Sequence, residues 1–328
     1  MPTNLPPVYF EIEKEFRAAT ELEDKIRLLE EMLSTIPKHK GTDHLRADLR
    51  RRLSKLKDSA KSQKRTTKQE SPFLIDKEGA GQVALIGPPN VGKSALLAAL
   101  TNASPEVAPF PFTTWTPTPG MMMVDNVQVQ LIDTPPLNPE YVESQLLDLI
   151  RRADLIALVV DLQEFPIQQL EDSVALLESN RIIPQHRQHL YQGERIPYIK
   201  PVLVLANKCD DEACAEDFEV LCELLEGEWQ LVPVSAETGR NVEGMKKAIY
   251  DLLGMMRVYS KPPGREPDLT APFVLEIGST VADFAGKVHQ DFYHNLKAAR
   301  VWGSGVHDGQ MVGRDHVLHE GDVVELRL

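Results

Sequence analysis

The chain has 328 residues, 42% hydrophobic and 26% charged, which is ordinary globular composition and enough for two or three domains. No run of 18 apolar residues offers a membrane-spanning helix, and the opening MPTNLPPVYFEIEKEF lacks the basic start and apolar core of a secretory signal. The formal charge of -13 excludes a wholly basic nucleic-acid binder, and Cys209, Cys214 and Cys222 have no metal-binding spacing and suit a reducing cytoplasm.

Residues 9 to 36 predict a helix. Phe16, Leu22, Ile26, Leu29, Leu33 and Ile36 recur mostly at three- to four-residue steps, and Pro37 ends the pattern. Thr42 or Asp43 caps a second helix with Leu45, Leu49, Leu53 and Leu56 on one face, and the short IPKHKGT link folds the pair into a hairpin. Charge is uneven here. From Lys38 to Lys68 twelve Lys/Arg stand against three acids, a local +9 that leaves -22 on the rest of the chain. An anionic partner and a merely solvated helix face account for such a run equally well. KDSAKSQKRTTKQESP then reads as a frayed end and linker.

Strand and helix signals alternate from Gly81. Strands are expected at 82–86, 127–132, 155–162, 201–207 and 230–235, and helices around 94–101, 140–152, 166–179, 213–226 and 241–254. The fold class is therefore α/β with a mostly parallel sheet, and ligands bind beyond the carboxyl ends of its strands. The segment 180–200 carries Arg181, Arg187, Arg195, Lys200, Tyr191 and Tyr198; an exposed loop is the simpler reading, RNA contact the sharper one. KPPGREPDLTAP, 261–272, is a proline-rich break. Residues 273–328 read as a small unit of short strands with one helix near Val281 to Asp291. Its five histidines form no ligand set with carboxylates, and Trp302 suits core and contact surface alike. Three regions result: 1–70, 81–257 and 272–328.

GPPNVGKS, comprising Gly87, Pro88, Pro89, Asn90, Val91, Gly92, Lys93 and Ser94, matches the phosphate-binding loop G-x-x-x-x-G-K-[ST] between a strand and a helix. Its backbone amides face phosphates, Lys93 reaches the β- and γ-phosphates, and Ser94 holds Mg2+. NKCD ends the fourth strand with Asn207, Lys208 and Asp210. The Asp210 carboxylate accepts from guanine N1–H and its exocyclic amine; adenine offers neither donor, so GTP is selected over ATP. Asn207 braces the loop and Lys208 lies along the base. In SAE (Ser235, Ala236, Glu237) the Ala236 amide faces guanine O6. FPFTTWTPTPG, 110–120, has the position of a switch loop, with Phe112, Thr113 and Thr114 at its centre and either threonine suited to Mg2+ and the γ-phosphate. In LIDTPP, Asp133 holds Mg2+ through water, followed by Thr134, Pro135 and Pro136.

PNVGKS, PFTTWTPTPG, LIDTPP, NKCD and SAE together resemble the Obg-related GTPases, most closely the developmentally regulated GTP-binding (DRG) branch. IPKHKGTDHLRADLRRRLSKLK is similar to that branch's basic helical hairpin, and FVLEIGSTVADFAGKVHQDF with ARVWGSGVHDGQMVGRDHVLHEGDVVEL resembles a TGS domain of β-grasp fold. The resemblance implies a P-loop GTPase domain, a cytoplasmic GTP switch, Thr114 as the Mg2+ ligand, and ribosomes or structured RNA, with a regulatory protein, as partners. The loop is similar to that of cation-dependent GTPases, which implies K+ beside Asn90, and so Lys93, Thr114 and Asn90 as catalytic groups. Two departures stand out: Pro136 has no amide for the terminal phosphate and fits the Obg pattern less well, and Leu137 stands where Ras-like enzymes place the water-orienting glutamine, a position at which the Obg group also has a hydrophobic residue. A rival reading is a GTP-dependent binding or adaptor protein with negligible hydrolysis.

Overall fold

The computed structural model describes residues 12, 14, 16, 22–36, 49, 51, 53, 71–101, 116–138 and 142–327. Phe112, Thr113 and Thr114 lie outside them, as does most of the basic segment Lys38–Lys68. The chain divides into two compact units, Met1–Ser71 and Pro72–Leu328.

In the first unit, α1 (Leu22–Thr35) buries Leu28, Leu29 and Met32. Leu29, Met32 and Ile36 form a small core with Leu49, against which Ile12, Phe16, Leu33 and Leu53 pack. The stripe expected from spacing is therefore inward-facing at Leu29, Leu33 and Ile36.

The second unit is built on a six-stranded sheet, order β2-β3-β1-β4-β7-β8. Its strands are β1 (Gln82–Ile86), β2 (Thr118–Val124), β3 (Val127–Asp133), β4 (Leu155–Asp161), β7 (Val202–Asn207) and β8 (Leu231–Pro233). All neighbours pair in parallel except β2, which is antiparallel to β3. β1, β4 and β7 are buried along their whole length, as strands with helices on both faces must be. Alternate residues serve opposite cores. Val83 and Leu85 join the α2 (Lys93–Leu100) and α6 (Val242–Leu253) side, with Leu96, Leu97, Met245 and Ile249. Ala84 and Ile86 join the other side, with Leu149 of α3 (Ser144–Arg152), Leu170 of α4 (Pro166–Ser179) and Leu221 of α5 (Ala213–Leu224).

Within the GTPase domain two features differ from the sequence reading. Thr118 to Gly120, expected in the switch loop, are the first three residues of β2. The segment after α4 also has regular structure: β5 (Ile182–Pro184) pairs in parallel with β6 (Tyr198–Lys200), bridged by a 3-10 helix, Gln185–Leu190.

A five-stranded sheet, order β10-β9-β13-β11-β12, closes the chain. It contains β9 (Met255–Ser260), β10 (Phe273–Glu276), β11 (Ala298–Trp302), β12 (Gln310–Val312) and β13 (Val323–Arg327). α7 (Val281–Val288), entered through a Thr280/Asp283 capping box, packs Phe284 edge-on against Phe273; α8 (Gln290–Asn295) follows. β9 precedes the proline-rich break but belongs to this sheet, between β10 and β13. The sequence reading ended the GTPase region at 257 and read no strand here, whereas Gly254, at φ 64°, ends α6 and is the whole connection to β9. Among the described residues no helix is long and apolar enough to cross a membrane.

Candidate functional site

The phosphate loop runs from β1 into α2. Gly92 precedes the helix at φ 91°, and a Cβ there would lie 2.2 Å from Asn207 Nδ2, so only glycine fits. No side chain caps the start of α2, whose first-turn amides suit an anion. Lys93 Nζ donates to the carbonyls of Gly87 (3.0 Å) and Pro88 (2.7 Å), which keeps the loop wrapped. Burial pulls the Lys93 ammonium down to about 8, against the opposing pull of the Asp133 carboxylate. Asn90 is exposed at φ 63°, a conformation asparagine tolerates better than most residues.

Asp133, at the end of β3, is fully buried. Ser94 Oγ donates to its Oδ2 at 2.5 Å, while Oδ1 is buried with no hydrogen-bond partner. Burial pushes its carboxyl pKa up; the Ser94 hydroxyl, the Lys93 charge and the Thr134 amide pull it down. A desolvated carboxylate with one oxygen unused, beside a serine hydroxyl and an uncapped helix start, fits Mg2+ held with a nucleotide phosphate. Thr134 Oγ1 donates to the Leu85 carbonyl at 2.8 Å. Pro135 and Pro136 are half-buried, and the Leu137 amide donates to Gly87 O at 3.0 Å. Thus the first amide after the two prolines is already engaged with the phosphate loop, and the Leu137 side chain lies in the hydrophobic core.

The NKCD and SAE loops meet at Asn207. Its Nδ2 donates to Val91 O at 2.7 Å and its Oδ1 accepts the Ala236 amide at 3.2 Å, so one side chain ties the phosphate loop to the SAE loop. The Ala236 amide expected at guanine O6 is engaged by Asn207 in this conformation. Ser235 Oγ donates to Asp210 Oδ1 at 2.6 Å and accepts the Thr238 amide at 3.0 Å, which fixes the carboxylate that the sequence expects at guanine. Lys208, at φ 65°, bonds its ammonium to Asp161, and its carbonyl accepts Gln163 Nε2 at 3.1 Å. Glu237 is exposed. Asp161, Gln163 and Gln169, whose Oε1 accepts the Asp161 amide at 2.9 Å, support the site without belonging to any motif quoted above. The one signal for them is position: Asp161 ends a buried strand adjacent to the NKCD strand.

Comparison with known proteins matches residues 82–208 to a family described as 50S ribosome-binding GTPase and residues 256–327 to the TGS domain. An uncharacterized GTP-binding protein of Methanocaldococcus jannaschii is 31% identical over 366 aligned positions, covering 93% of this chain and 92% of that protein. Developmentally-regulated GTP-binding protein 1 of Xenopus laevis is 29% identical, covering 77% and 84%. The YchF GTPase of Schizosaccharomyces pombe shares the fold, with TM-score 0.53 at 14% identity, covering 77% of this chain and 99% of that one. A GTPase model followed by a TGS model, with the Methanocaldococcus jannaschii relative aligned over 93% of the chain, fixes the family: the chain belongs to the Obg-related GTP-binding proteins, in the DRG branch.

Proposed function

We propose that this protein is a cytoplasmic GTP switch with slow, Mg2+-dependent GTP hydrolysis, stimulated by K+, acting on ribosomes or structured RNA. The observation that carries the nucleotide part is Asn207, which holds phosphate and base loops in one frame while Ser235 presents Asp210. Guanine O6 would share the Ala236 amide with Asn207 as a three-centre bond. Ser94, Asp133 and Thr114 would hold Mg2+, which neutralises charge on the phosphates. Lys93 binds the β- and γ-phosphates by exchanging its carbonyl partners for their oxygens. Asn90, exposed beside the loop, would hold K+.

Slow turnover follows from LIDTPPL. Pro136 offers no amide to the terminal phosphate, the Leu137 amide is bonded to Gly87 O, and its side chain cannot orient water. The same observation favours a second reading, GTP-dependent binding with negligible hydrolysis. Single-turnover assays at matched ionic strength decide. The expected outcome is slow hydrolysis, faster in K+ than in Na+. Equal rates in the two salts would remove the cation role, and no hydrolysis in either would leave the binding protein. The ribosome or RNA assignment draws on the family's description and the +9 of Lys38–Lys68. It is tested by co-sedimentation with ribosomes in GDP and in a non-hydrolysable GTP analogue; binding indifferent to the nucleotide would sink the switch.

A further inference from the structure

The nucleotide pocket uses one end of the β2–β3 hairpin, and the TGS domain holds the other. β2 begins at Thr118 and β3 ends at Asp133, so the segment that follows Asp133 and the chain that enters β2 join the hairpin at the same end. It is paired without a break from Thr118↔Asp133 to Val124↔Val127. Seven residues of strand span about 23 Å.

At the turn, Arg257 Nη1 donates to Asp125 Oδ2 at 3.0 Å and to Asn126 Oδ1 at 3.4 Å. Asn126 Nδ2 donates to Tyr259 Oη at 3.1 Å and to the Leu269 carbonyl at 3.2 Å. Arg257 is fixed in turn from within the TGS domain. Its Nε and amide donate to Glu320 Oε1 (2.5 Å) and Oε2 (2.8 Å), and its carbonyl accepts the Gly321 amide.

The domains have a second attachment, the single residue Gly254 between α6 and β9. Beside the two attachments lies a cavity of about 600 Å³, lined by Val124, Asp125, Tyr250, Met256, Arg257 and Leu318 among others. The Tyr250 hydroxyl is buried with no hydrogen-bond partner, and the Arg257 guanidinium lies 5.7 Å from its ring centre. Met255 and Val274 of the TGS sheet also pack against the GTPase core, close to Gly254, so the TGS domain pivots there while the hairpin turn grips it from the other side of the cavity.

We propose that the β2–β3 hairpin is the mechanical link through which the bound nucleotide sets the pose of the TGS domain about Gly254. By linkage, a macromolecule held on the TGS domain then changes the preference of the pocket for GTP over GDP. The inference rests on the switch reading given above, and its test separates the two.

Amide hydrogen exchange is followed on the full chain saturated with Mg-GDP or with a non-hydrolysable Mg-GTP analogue. Segments 255–261 and 318–324 are expected to differ by about threefold or more between the two states, a change in local opening. Asn126→Ala and Arg257→Ala should each erase that difference while the change at 133–138 persists. They should also shift the analogue-to-GDP affinity ratio by about fivefold, the low end of ordinary coupling. Asn126→Ala trims one turn side chain and keeps the test usable if Arg257→Ala misfolds. Identical exchange at 255–261 and 318–324 in the wild type, with 133–138 changed, overturns the link, as does a variant that retains the full difference. No change at 133–138 with nucleotide bound removes the switch reading, and the link with it.

Discussion

Leu137 occupies the place where a water-orienting glutamine would stand, yet it is 4% exposed and packed in the core beneath the switch. Restoring the glutamine should therefore cost stability rather than raise the rate. Leu137→Gln loses apolar burial and strands an amide, about 2–4 kcal/mol in total. A urea midpoint lowered accordingly, with single-turnover hydrolysis no faster, is the expected result; an unchanged midpoint with faster hydrolysis would mean that Leu137 is not locked in place. Much at this scale was legible in the sequence. GPPNVGKS, Asp133 and NKCD were found where strand ends place them, because each needs particular chemistry at fixed spacing. What spacing could not reveal is who already holds whom: the Leu137 amide on Gly87 and the Ala236 amide on Asn207 depend on loops distant in sequence meeting at one point.

Among the elements, the 180–200 segment shows how cationic residues can be spent internally. Arg187 donates to Glu228 at 2.6 and 3.2 Å, reaches Glu178 at 3.4 Å, and its guanidinium lies 5.0 Å from the Trp229 ring centre. Arg151 and Arg181 lie over Tyr198. Arg187→Ala should thus lower stability by about 1 kcal/mol, since the pairs are partly solvated. Co-sedimentation with ribosomes should be unaffected; weakened sedimentation at unchanged stability would assign the segment to RNA. The fully buried strands were legible as apolar runs, whereas β2, TPGMMMV, was not: Pro119 and Gly120 are poor strand formers, and pairing with β3 overrides them. β5 and β6, three residues each, were hidden in polar sequence.

At the scale of the whole molecule, the placement of β9 decides where the chain can be cut. Met256 and Val258 belong to the TGS core, while Met255 packs against that of the GTPase domain. A fragment beginning at residue 272 lacks an interior strand and should show no cooperative thermal transition by circular dichroism, whereas one beginning at residue 255 should show one. Cooperative melting of the shorter fragment would mean that β9 is dispensable.

That strand also imposes an order in time. β9 emerges directly behind α6, but its parallel partner β13 begins only at Val323. At ordinary rates of synthesis the intervening residues take roughly 3–13 seconds to appear. For that interval every residue of the NKCD and SAE loops has already been made while one edge of β9 lies open. A nascent chain could therefore take up its nucleotide before the domain that responds to it exists.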